Sequence, residues 1–439
     1  MSTASVYLPW TRHADGRELT TVRSVRKSRP DARATGVPTG RVPRGRLAVL
    51  VLVLVAGLSG LDAALLRLGA TAPVHSQSLA SSHGILMIYG FLGTAIMLER
   101  AVALQSEPRS GWAYAGPAAG GLGALLLVAQ STPLHVPWGR ALPGGAFVAS
   151  MALFVAIYVT VWRRQQSIAV LVQLLGAAAG LAGVALWARG YEVATIVPWW
   201  TALMVLTIVG ERLELARVAF MTAATEPRIL AESCLLLVAL VATLVAPAWG
   251  YPLLGLALGV LMVDVGLHDV ARRTVRSTGL TRFMGACMLA GYAWAMVPAL
   301  VWMLRGPVFS GFGYDAVVHA LTIGFVMSMV VAHAPVIVPA VARRPLPYHP
   351  VMWAVWAMLH AGLAIRLVAD ARASVGAWQL GGSLSVVALL AFLGSTVTLV
   401  AWGGRPGGRQ AGRQAAPRPE RQERVVGAAA DGHDSGVTA

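Results

Sequence analysis

Apolar runs of membrane-spanning length recur along the middle of this chain, and they decide its fold class. Crossing a bilayer core takes roughly 20 apolar residues in a helix. A segment in lipid must also satisfy its own backbone polar groups. Twelve such runs stand at about 46–68, 79–104, 112–130, 144–162, 168–188, 195–217, 229–247, 250–270, 282–305, 314–337, 349–369 and 376–402. The class implied is all-α, a polytopic membrane bundle of about twelve transmembrane helices. The chain is 56% hydrophobic and only 12% charged, against about 25% charged in a soluble domain.

The formal net charge of +16 raises nucleic acid as a partner. The placement of the basic residues excludes it, because they sit in short loops and tails between spans. With the N-terminus inside, the cytoplasmic loops carry Arg100 and Arg109, Arg163 and Arg164, Arg212, Arg217 and Arg228, Arg272, Arg273, Arg276 and Arg282, and Arg343 and Arg344. The outer loops carry little beyond Arg140, Arg189 and Arg372. The positive-inside rule therefore puts both termini in the cytoplasm of a multi-pass protein whose first partner is the lipid bilayer.

Residues 1–45 hold nine Arg or Lys, and Arg46 follows at once. They read as a disordered basic cytoplasmic tail, not as a signal peptide, since no small-residue cleavage site follows the first apolar run. The stretch 403–439 is rich in Gly, Arg and Gln and reads as a second disordered cytoplasmic tail. The twelve-helix domain is 46–402. Cys234 and Cys287 both fall within spans, which suggests buried small apolar residues and no disulfide framework. Small residues at helical spacing, as in 116–123 and 176–180, allow close helix approach. Trp138, Trp199, Trp200, Trp249 and Trp378 fall near outer ends, as an aromatic belt does.

Ionisable groups inside a membrane are costly and mark function. Of the ten histidines, His83, His319, His333 and His360 lie within spans. His83 is roughly 6 Å from the outer end of span 2 and His319 roughly 8 Å from that of span 10, at about 1.5 Å per residue. Two imidazoles on different helices at one depth suit the two axial positions of one haem iron. His333 lies fourteen residues after His319, about 21 Å along the helix, so the two cannot share one metal. His333 belongs to a second metal or proton-relay site near the inner side, with His360 as its neighbour, or to none. A membrane histidine also serves simply as a hydrogen-bond partner between helices. Met87, one turn after His83, offers a thioether of the kind that suits copper. Arg366 lies near the outer end of span 11 at the depth of His83 and His319. Its guanidinium suits haem propionates, with Asp370 as the competing partner.

The segment His83-Gly84-x-x-Met87 resembles the helix-2 haem-ligand motif of haem-copper oxidase subunit I. In that family the low-spin haem is held between histidines of helices 2 and 10, and His83 and His319 fall on spans 2 and 10. The segments His319-Ala-Leu-Thr-Ile-Gly324 and Ala361-Gly-Leu-Ala-Ile-Arg366 are similar to NnrS, a twelve-span family of haem- and copper-containing membrane proteins tied to nitric oxide and denitrification. The resemblance implies an oxidase-like helix arrangement in a bacterial-type inner membrane. It also implies haem b, with copper as a second metal, and nitric oxide or a redox partner. Spans 6 and 7 lack the histidines of an oxygen-reducing centre. A twelve-span secondary transporter without haem is the alternative, with Pro298 in span 9 as a site for a broken helix. A structural protein whose histidines only tie helices together is a third.

Overall fold

The computed structural model describes residues 42–104, 110–131, 139–216 and 224–403. Most of the N-terminal basic stretch, the residues after 403 and Trp138 lie outside the described residues, and so do the expectations placed on them. Twelve helices are long and apolar enough to cross a membrane. They are α1 Arg44–Arg67, α2 Gln77–Leu104, α3 Ser110–Gln130, α4 Ala141–Arg164, α5 Ile168–Ala188, α6 Val193–Leu215, α7 Thr225–Val245, α8 Pro247–His268, α9 Gly279–Arg305, α10 Gly311–Ala342, α11 Val351–Arg372 and α12 Val375–Gly403. Every apolar run became a helix, and no described residue lies in a strand.

Helix starts follow local chemistry. Ser76 begins α2 by accepting from the Leu79 N–H, and Ser167 does the same for Val170 at α5, as side-chain caps do. Pro247 stands at the start of α8, where its missing N–H costs nothing.

Sequential helices pack as neighbours, and α6 is the most enclosed of the twelve, with 83% of its apolar window buried. The small-residue runs set these contacts. A Cβ at Gly120 would stand 2.5 Å from Thr94 Oγ1, and one at Gly180 would stand 2.8 Å from Leu203 Cδ1. The enclosure of α6 also corrects the aromatic belt. Trp199 and Trp200 are buried in the bundle, while Trp249 is exposed. Cys287 is buried as expected, whereas Cys234 is exposed.

Two helices depart from the regular ladder. α2 is π-helical over Leu86–Gly93 and α10 over Ala320–Met327. Each wide stretch begins just after a membrane histidine, three residues after His83 and directly after His319. π-turns inside α-helices occur frequently at functional sites. Thr94 Oγ1 donates to the Tyr89 carbonyl and Thr322 Oγ1 to that of Val318, so side chains take up carbonyls at both places.

Candidate functional site

α2 and α10 begin two and three residues earlier than the apolar runs suggest. His83 is therefore six residues inside α2 and His319 eight residues inside α10. Both line the same two cavities. One is a vestibule of about 2560 Å³ with its open mouth included, edged by Arg67, Arg140, Ser82, Tyr314 and Trp378. The other is a narrow, mostly apolar slot of about 710 Å³ with its mouths included, walled by Leu61, Ile88, Trp200, Ile323, Val386 and Leu389. His83, Gly84, Trp200, Val318 and His319 line both, so the histidines stand where the polar vestibule meets the apolar slot.

Each ring is tied through Nδ1 to a peptide carbonyl. His83 Nδ1–H donates to the Gly60 carbonyl at 2.8 Å. His319 Nδ1–H donates to the Asp315 carbonyl at 2.9 Å and lies 3.3 Å from Asp315 Oδ1. In a neutral ring a donor at Nδ1 leaves Nε2 as the bare nitrogen. Neither Nε2 has a hydrogen-bond partner among the described residues. Gly84 lets the Trp200 ring pack closely against α2 next to His83, since a Cβ there would stand 2.7 Å from Trp200 Cη2.

Arg366 lies at the slot, and it is committed. Nε and Nη2 donate to the two Asp315 oxygens at 2.6 and 2.7 Å, and Trp378 Nε1–H donates to the same carboxylate at 3.0 Å. Arg366 also faces the Trp378 ring at 5.0 Å. Its partner is Asp315, not Asp370. Asp370 is buried, and neither of its oxygens has a hydrogen-bond partner among the described residues. Bidentate approach across two helices wins over helical spacing within one. Gly381 and Gly382 of α12 seat this arginine, because Cβ atoms there would stand 2.6 Å from Arg366 N and 2.7 Å from its Nη1.

A family model described as "Domain of unknown function (DUF8744)" matches residues 46–401, nearly the whole helical region. The chain belongs to the DUF8744 family. No curated protein matches it.

The other histidines of this DUF8744 chain are used differently. His333 Nδ1–H donates to the Met329 carbonyl at 2.7 Å, and Nε2 accepts from Arg212 Nη1 at 3.1 Å. His360 Nδ1 accepts from Trp294 Nε1 at 2.6 Å, and Nε2 meets Ser328 Oγ at 3.0 Å. All four nitrogens are occupied, and neither ring is the other's hydrogen-bond partner. The two rings sit in separate hydrogen-bond networks. Each ring was drawn to a stronger polar neighbour, a buried guanidinium in one case and an indole N–H in the other. Among the described residues, no group of three or more His, Cys, Asp or Glu is placed to hold a metal ion.

His333 belongs to a buried polar cluster that sequence reasoning missed. Arg212 forks onto Asp269 at 2.8 and 3.0 Å, and Tyr292 OH donates to the same carboxylate at 2.6 Å. Burial by itself would raise the Asp269 carboxyl, but the Arg212 fork, Tyr292 and the Ala271 N–H hold it below the usual carboxylate range. The signal for Asp315 was legible: it stands four residues before His319 on one helix. Asp269 gave no such signal, because its partners lie far away in sequence.

Proposed function

We propose that this chain is a haem-binding integral membrane protein of the NnrS-like or oxidase-like kind, with a b-type haem between His83 and His319. The observation that carries the reading is the matched pair: two imidazoles on α2 and α10, each tied at Nδ1 and each with Nε2 unpartnered at the head of one slot. Histidine ligands generally use the second ring nitrogen for such a tie. The donor set fits haem iron, and the slot is narrow and apolar as a flat macrocycle requires. The π-helical stretch beside each histidine supports a functional use of both.

His83 and His319 would hold the iron, and Trp200 and Gly84 would shape one wall. The vestibule side is polar. There Arg67 has neither hydrogen bond nor ion pair among the described residues and would meet carboxylates of the group. Arg366 would act through Asp315 rather than on the haem directly. When bound, haem would supply one-electron chemistry and a site for nitric oxide. Membrane electron transfer or a nitric oxide response in a bacterial-type inner membrane follows, with both termini cytoplasmic.

A reduced-minus-oxidised spectrum of the purified protein tests this. Haem bands in wild type, lost or altered in His83→Ala and His319→Ala, support it. No bands in wild type would sink it. The open vestibule also suits substrate entry to a secondary transporter. Substrate uptake by proteoliposomes free of haem would favour that reading instead.

A further inference from the structure

The two histidines are alike in position but not in their ties. His83 Nδ1 meets an uncharged peptide carbonyl, that of Gly60. His319 Nδ1–H donates to the Asp315 carbonyl at 2.9 Å, and the Asp315 carboxylate lies beside the same nitrogen, with Oδ1 at 3.3 Å. That carboxylate is itself restrained, by two donors of Arg366 and by the Trp378 indole. We infer that Asp315 is a positioning residue that makes His319 the stronger donor of the two imidazoles, with Arg366 and Trp378 setting how strongly it acts.

This rests on the reading that His319 ligates haem iron. The physical basis is general. A carboxylate on the far nitrogen of a ligating histidine fixes the ring and raises its basicity, and hydrogen bonding around an axial ligand tunes the potential of the iron. A more electron-rich His319 favours the ferric state and lowers the midpoint potential. Donors on the carboxylate draw charge away from the imidazole and work in the opposite sense. Arg366 is charged and bidentate, so it restrains most. Trp378 contributes one neutral N–H, which can be removed with little disturbance. The tie needs no movement of the chain, since Asp315 and His319 are one helical turn apart on α10.

Redox titration of the haem bands in the full-length protein tests this, with wild type beside Asp315→Asn, Asp315→Glu and Trp378→Phe. The expected result is a raised midpoint potential in Asp315→Asn, a value near wild type in Asp315→Glu and a lowered potential in Trp378→Phe, with haem retained in each. A merely structural role for Asp315 would change haem content or stability without shifts of opposite sign. Asp315→Asn leaves Arg366 buried without its counter-charge. Should that variant fail to fold, Trp378→Phe alone decides, because it keeps both charges. Haem retained at an unchanged potential in Trp378→Phe would overturn the inference while leaving the haem reading intact. No haem bands in wild type would overturn the haem reading, and this inference with it.

Discussion

Arg366 of α11 grips Asp315 of α10 through both carboxylate oxygens, at 2.6 and 2.7 Å, and both groups lie mostly away from solvent. This pair joins two helices beside His319. Removing one member strands the other. A buried pair broken from one side typically costs about 3–5 kcal/mol. Arg366→Met should therefore lower thermal stability in detergent by that order, and the double variant Arg366→Met, Asp315→Asn should recover a large part of it. Equal loss in the single and double variants would contradict this.

The buried cluster around Asp269 gives a pH dependence of known sign. Asp269 is held below the usual carboxylate range in the folded protein. A depressed carboxyl binds its proton less readily when folded than when unfolded. Its stabilising contribution is therefore fully present above the usual carboxylate range and is lost as pH falls through the lowered value. Asp269→Asn should lower stability near neutral pH and flatten the acid limb of the stability curve. Melting temperatures from pH 7 down into the acid range, for wild type and variant together, read this directly. Tyr292→Phe removes one hydrogen bond to a charged group and should cost about 1.5–3 kcal/mol.

His333 and His360 should be spectroscopically silent. All their ring nitrogens already have protein partners. His360→Gln and His333→Gln should keep haem content and band positions. His333→Leu leaves the Arg212 Nη1 donor unmatched and should cost about 1–3 kcal/mol of stability. Loss of haem bands in either Gln variant with the fold intact would contradict this assignment.

Gly84 controls the width of the slot. A Cβ at this position would stand 2.7 Å from the Trp200 ring. Gly84→Ala should push the indole into the slot and reduce haem per protein, measured by pyridine haemochrome. Trp200→Phe should restore haem in the Gly84→Ala background, because the smaller ring clears the added methyl. Undiminished haem in Gly84→Ala would show that the slot wall yields freely.

The helices were legible because apolar run length is read directly from the chain, and all twelve runs formed helices. His83 and His319 lie further inside their helices than the apolar runs suggest, because α2 and α10 begin two and three residues earlier. Side-chain pairing across helices was not legible. Asp370 is one turn from Arg366 and looked like its partner, but Asp315 on the neighbouring helix offers both oxygens to the guanidinium fork. Trp199 and Trp200 looked interfacial because they lie near the start of α6. Only the enclosure of α6 by its neighbours shows that they point inward. The π-helical stretches left no mark in residue periodicity, since both segments are almost wholly apolar.

The most direct measurement is the reduced-minus-oxidised absorption spectrum of the purified wild-type protein beside His83→Ala, His319→Ala, His333→Gln and His360→Gln. A haem clamp across α2 and α10 predicts b-type bands in wild type and in both Gln variants, with loss or a marked shift in both His83→Ala and His319→Ala. Absence of haem in wild type, or unchanged bands in both His83→Ala and His319→Ala, would contradict it.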